Sequence, residues 1–95
     1  MQVEWSTEAL GDLARHLDFL KERSPPAARR AGEAILAATD QLGRFPDSGR
    51  PYVPNPDYMR ELLIPFGRHG YSLLYEVDSN FVRIAKLKHM REAGY

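Results

Sequence analysis

Residues 59–95 read MRELLIPFGRHGYSLLYEVDSNFVRIAKLKHMREAGY, and this stretch decides the fold. Met59–Ile64, Tyr71–Val77 and Phe81–His89 are short runs rich in leucine, aromatic and β-branched residues. Pro65-Phe66-Gly67-Arg68-His69-Gly70 separates the first two and Asp78-Ser79-Asn80 the last two. Apolar runs bounded by such turn residues read as strands. The stretch therefore predicts an antiparallel meander. Its last strand delivers Lys86, Lys88, His89 and Arg91 to one end. Such a cluster suits an anionic partner, or chemistry on a phosphate.

Upstream, Gln2–Trp5 alternates polar and apolar residues and is long enough only for a strand or an arm. Ser6 is a good N-cap, with Glu8 in the first turn. Leu10, Leu13, Leu17 and Leu20 then recur at spacings of three and four, one helical face. Pro25-Pro26 disfavours helical geometry before it, so this helix stops near Ser24. Ser24 can cap a second helix, whose stripe is Ala31, Ile35, Ala38 and Leu42 and whose natural stop is Gly43. Arg44–Asp57 holds four of the seven prolines and reads as a long extended loop, a kind that is often functional. The expected fold is α+β, β-α-α-β-β-β. A helical hairpin packs on one face of a small antiparallel sheet and the other face stays open.

Length limits the chain to one domain, residues 1–95, with one modest core. The hydrophobic share of 43% is ordinary for a globular chain. With no cysteine, disulfides and thiolate metal sites are excluded. No histidine–carboxylate spacing suggests a metal, and no cofactor is expected. The sequence has neither a run long enough to cross a membrane nor a signal sequence. Met1 leads almost directly into a strand, so a complete, cytoplasmic chain is expected.

Thirteen Lys plus Arg balance thirteen Asp plus Glu. Proteins that live on nucleic acid usually carry a basic excess, because phosphate neutralisation supplies much of the affinity. Here the basic signal is local: Val82–Arg91 carries four bases and no acid.

His89 can serve as acid or base near neutrality, and its cationic neighbours could stabilise a phosphorane. The plainer alternative is a strand-end histidine bonded to backbone. Arg60, Arg83 and Arg91 could gather on one phosphate. They could equally form an ion-paired sheet face with Glu61 and Glu76. Tyr71 and Tyr75 share a face, for base stacking or for cross-strand packing. Phe19 lies off the leucine stripe and fits a partner groove. Trp5 reads as core and His16 as surface.

The chain resembles the RelE/ParE superfamily of bacterial toxins from type II toxin–antitoxin modules. Val3-Glu4-Trp5-Ser6 with Ala9, Leu10, Asp12 and Leu13 resembles the family's opening strand and helix. Leu42-Gly43-Arg44-Phe45-Pro46 with Gly49-Arg50 resembles its post-helix loop. Arg60-Glu61-Leu62 through Tyr71-Ser72-Leu73-Leu74-Tyr75 resembles its central hairpin, and Ile84–His89 with Arg91 its last strand.

The resemblance implies a toxin neutralised by a cognate antitoxin in a hetero-oligomer. Leu63-Ile64-Pro65-Phe66-Gly67 and His89–Tyr95 look more like the ParE branch, whose members poison DNA gyrase. Arg60, Arg83, Lys86 and Lys88 are the candidate phosphate- or target-binding residues. The RelE branch cleaves mRNA on the ribosome, and its catalytic groups would fall on His89, Arg91 and Tyr95. A third reading is a non-toxic relative that only assembles with an antitoxin-like partner on operator DNA. Antitoxin contact is expected along the helical hairpin, at Phe19, Arg44 and Phe45.

Overall fold

A computed structural model describes residues 1–92 and Tyr95. Ala93 and Gly94, part of the tail quoted above, lie outside the described residues. The elements are β1 (Gln2–Trp5), α1 (Thr7–Arg23), α2 (Pro25–Arg44), β2 (Arg50–Pro51), β3 (Met59–Ile64), β4 (Tyr71–Val77) and β5 (Phe81–His89). The sheet order is β1-β5-β4-β3-β2. β1 runs parallel to β5, and the other neighbours are antiparallel. The α+β order and the helical hairpin are as expected. The sheet is mixed rather than wholly antiparallel, because the chain returns through both helices and β5 so that β1 lies parallel to β5. The two-residue β2, inside the proline-rich loop, is an addition.

The α1 cap also explains an irregularity in β5. Leu74 faces Lys86 while Tyr75 faces Ile84, which leaves Ala85 as a bulge. Ser6 Oγ accepts from Ala9 N at 3.0 Å and donates to the Ala85 carbonyl at 3.0 Å. One hydroxyl therefore starts the helix and satisfies the bulged strand. Asp12 Oδ2 accepts from Leu87 N at 3.0 Å, past the point where β1 stops pairing with β5. Ser24 serves twice at the hairpin bend. Its N–H donates to Leu20 O at 2.7 Å and its Oγ accepts from Ala27 N at 3.3 Å.

Ala31, Ile35, Ala38 and Leu42 of α2 are all buried as expected. In α1 the face is rotated. Leu10 is 52% exposed, Ala9 and His16 are buried, and Leu13, Leu17 and Leu20 are half-buried. Small Ala9 allows close approach to the sheet, a feature invisible to a count of leucines. Gly43 does not end α2, which runs to Arg44. A Cβ at Gly43 would meet the Met1 carbonyl at 3.0 Å, so glycine there admits the start of the chain against the helix.

Tyr71 and Tyr75 point toward the helices and are buried. The Tyr75 hydroxyl accepts from Gly49 N at 2.9 Å and donates to Pro46 O at 2.8 Å, pinning the proline-rich loop. The opposite face is not open as expected. Ser72 and Leu74 belong to it by strand alternation, yet both are buried. Tyr52 and Tyr95, whose rings meet edge-on at 5.6 Å, lie over that face.

Candidate functional site

Two places concentrate polar chemistry, one on each side of the sheet. The first is a groove between α1 and the β3–β4 turn, about 460 Å³ in volume. His89 ends β5 directly opposite Tyr71, so its ring points to the helix side. The rings of Tyr71 and His89 are 5.3 Å apart, His69 and His89 5.8 Å, and His16 and Tyr71 5.4 Å. All three histidines of the chain therefore border this groove. Phe19, Leu20 and Phe66 supply apolar walls, and Arg15, Arg68, Arg91 and Glu92 are also in its lining.

Burial, then the neighbouring charge of Arg15, lowers the His16 pKa against the opposing pull of Glu92. Burial, then His69, lowers that of His89, again opposed by Glu92. Both rings are thus neutral around pH 7.5. Arg91 N donates to His89 Nδ1 at 3.2 Å, which puts the proton of the neutral ring on Nε2. The depressed His16 pKa means the unfolded chain binds its proton more readily. Stability should therefore fall as pH drops below about 6.5, and be complete above it. Histidine Cε1–H NMR titration should give midpoints below 6.5 for His16 and His89.

The second place centres on Glu61, on the far face. Its carboxylate accepts from Arg50 Nε and Nη2 at 3.1 and 2.8 Å, from Ser72 Oγ at 3.1 Å and from the Tyr95 hydroxyl at 2.7 Å. Burial alone would raise its pKa, but the bonds from Tyr95, Arg50 and Ser72 outweigh that and lower it. A carboxyl with a depressed folded pKa stabilises above its ordinary value near 4.5 and loses that stabilisation as pH falls through the folded value. Glu61→Gln should flatten the acid limb of a stability–pH curve measured by urea unfolding between pH 5 and pH 3. Tyr95 is bound to Ser72 as well. Burial, then its bond to Glu61, drives the phenol pKa far upward.

The expected site residues are thus divided. His89 and Arg91 border the groove, whereas Tyr95 sits across the sheet from them. Arg60, Arg83 and Arg91 do not gather. Arg60 donates to the Gly49 carbonyl at 2.7 Å and lies 3.8 Å from Asp47. Arg83 pairs with Glu76 at 3.7 Å. Arg91 lies past the opposite end of β5. Lys86 pairs with Glu8, and the Lys88 ammonium rests 4.9 Å from the centre of the Tyr95 ring. Phe19 and Phe45 are both exposed, but they lie toward opposite ends of the helical hairpin. α2 alone, 20 residues, is about 30 Å long. Arg44 is exposed at the Phe45 end.

His16 and His69 were missed as groove residues. Their signals were present: His16 continues the Leu13–Leu20 face, and His69 shares a turn that β3 and β4 bring to His89. Tyr52, inside the loop, had no periodic signal. Among the described residues, no three His, Cys, Asp or Glu side chains could jointly hold a metal ion. No described helix is long and apolar enough to cross a membrane.

A helical hairpin on a five-stranded sheet, with this groove and this basic last strand, defines the RelE/ParE class of toxin. Comparison with known proteins agrees. Residues 3–94 match the family described as ParE toxin of type II toxin-antitoxin system, parDE. Toxin RelE3 of Caulobacter vibrioides is 41% identical over 90 residues, covering 95% of each chain. Toxin RelE1 of the same organism is 36% identical and covers 88% of this chain and 87% of its own. A solved structure titled "Chromosomal ParDE TA system from P. aeruginosa" superposes with a TM-score of 0.78. It covers 96% of this chain and 97% of its own at 21% identity, a likeness of fold. The chain belongs to the ParE toxin family of type II toxin–antitoxin systems. It is a toxin component, whose counterpart is a cognate antitoxin.

Proposed function

We propose that this toxin acts in the cytoplasm by binding and inhibiting DNA gyrase, with the antitoxin holding it silent. The supporting observation is the division of the acid–base groups between two faces. His89 and Arg91 border the helix-side groove, whereas the Tyr95 hydroxyl is bound by Glu61 and Ser72 on the far side. General acid–base catalysis needs both groups within hydrogen-bond reach of one substrate. The lone pair of neutral His89 is further occupied by Arg91 N–H. Zero net charge also suits a protein target better than an RNA one. In this reading Arg83, Lys86 and Lys88 of β5 are target contacts. Arg60 holds the loop for them, and Phe19, Arg44 and Phe45 meet the antitoxin.

A second reading, ribosome-dependent mRNA cleavage, is favoured by the histidine and arginine groove and by relatives that carry the RelE name. Induced expression without antitoxin separates the two. A gyrase poison triggers the DNA-damage response, and His89→Ala leaves toxicity intact because no proton is transferred. A nuclease arrests translation, and His89→Ala removes about 10²–10⁴-fold of its rate. Codon-specific mRNA cuts that vanish with His89→Ala would refute the gyrase reading.

A further inference from the structure

The groove of His16, His69 and His89 is built for more than a surface depression, and its chemistry selects among occupants. Phe19 is 54% exposed, and the remaining walls include Leu20, Phe66 and Tyr71. Its volume of about 460 Å³ accommodates a large side chain with its neighbours. Charge is arranged unevenly around it. Glu92 is the one carboxylate in the lining, and Arg15 holds it at 3.0 Å. Among the described residues, the side chains of Arg68 and Arg91 have no carboxylate partner. His16 Nε2 is buried, has no hydrogen-bond partner and lies 3.7 Å from Glu92.

We propose that the antitoxin anchors in this groove through a large apolar side chain flanked by a carboxylate. The inference rests on the toxin–antitoxin pairing and names the chemistry of its contact. The apolar anchor would cover Phe19, and the carboxylate would meet the unpaired guanidinium groups of Arg68 and Arg91, where charge-assisted bonds are strong. Amphipathic segments dock in grooves of this kind by such anchors. A nucleic-acid occupant fits less well. Phe19, Leu20, Phe66 and Tyr71 form an apolar wall, and the Glu92 carboxylate in the lining would repel a phosphate beside it.

The histidines add a proton linkage. His89 faces His69, Tyr71, Arg91 and Glu92, and His16 faces Asp12, Arg15, Tyr71 and Glu92. Both rings are neutral at pH 8. An incoming carboxylate favours their charged forms and burial under the apolar anchor opposes it, so occupation of the groove shifts both titrations and makes affinity depend on pH between 8 and 6.

The test uses the intact toxin and its full-length antitoxin, with affinity measured by calorimetry at pH 6 and pH 8. Phe19→Ala and Arg91→Glu should each weaken binding by about tenfold or more. Arg30→Glu, the same charge reversal on an exposed stretch of α2, should change it by less than about twofold. His89→Gln should reduce the pH dependence. Phe19 and Arg91 are both exposed, and circular dichroism with thermal melting verifies that the variants fold. Folded Phe19→Ala and Arg91→Glu proteins that bind within about twofold of wild type would overturn the anchor and leave the toxin–antitoxin pairing standing. Variants that keep antitoxin binding but lose mRNA cleavage would also overturn it and make the groove a nucleic-acid site. A wild-type toxin that binds no antitoxin would overturn the pairing itself, and the anchor with it.

Discussion

Leu73→Ala should remove about 2–5 kcal/mol of folding stability. Leu73 is fully buried on β4, the middle strand of the sheet. It stands between Leu62 on β3 and Leu87 on β5 in the register, and both neighbours belong to the same core. Truncation there leaves a cavity that rigid strands on both sides cannot close. A small domain has only about 5–15 kcal/mol in total, so the variant should be close to unfolding at 37 °C. Urea denaturation should show a lowered midpoint with an unchanged slope. Leu17→Ala, on the half-buried part of α1, should cost clearly less. A loss below about 1 kcal/mol at Leu73 would mean that the helices cover the other sheet face.

Gly49→Ala should be nearly as damaging, for a different reason. A Cβ at position 49 would lie 2.6 Å from the Tyr75 hydroxyl and 2.8 Å from the Glu61 carbonyl. Both neighbours are fixed. The Tyr75 ring is buried in the core, its hydroxyl is bonded to Gly49 and Pro46, and Glu61 is strand backbone. Overpacking of this kind costs about 1–3 kcal/mol. Tyr75→Phe removes the hydroxyl and leaves Gly49 N–H and Pro46 C=O to find other partners, costing about 1–3 kcal/mol by itself. In the double variant part of the clash is gone, so the two losses should sum to more than the measured total. Strict additivity in urea unfolding would show that the loop is not held by this contact.

What could be read from the sequence follows from where the signal is local. The three strands from Met59 to His89 are bounded by Gly, Pro, Asp and Asn, and the structure has the same bounds. Ser6 and Ser24 announce their caps, and the α2 stripe is strictly periodic. The face of α1 was misjudged because Leu10 is more hydrophobic than Ala9 but bulkier, and the sheet accepts the smaller residue. β2 was missed because two residues carry no pattern. It pairs with β3, next to Gly49, which is held by Tyr75 and Arg60.

The site was harder to read than the fold. Strand alternation puts His89 on the helix side with Leu87, but no alternation governs the tail beyond β5. The position of Tyr95 over Ser72 and Glu61 depends on long-range contacts that spacing does not encode. The same holds for the meeting of His16, His69 and His89. They come from a helix, a turn and a strand end, more than fifty residues apart at the extremes, and only the folded chain gathers them.

The most direct measurement of the central claim is gyrase-catalysed DNA supercoiling in the presence of the purified toxin. A binding poison predicts dose-dependent loss of supercoiling that His89→Ala preserves and that added antitoxin reverses. Full supercoiling at saturating toxin, together with cleavage of mRNA on programmed ribosomes by the same preparation, would contradict it.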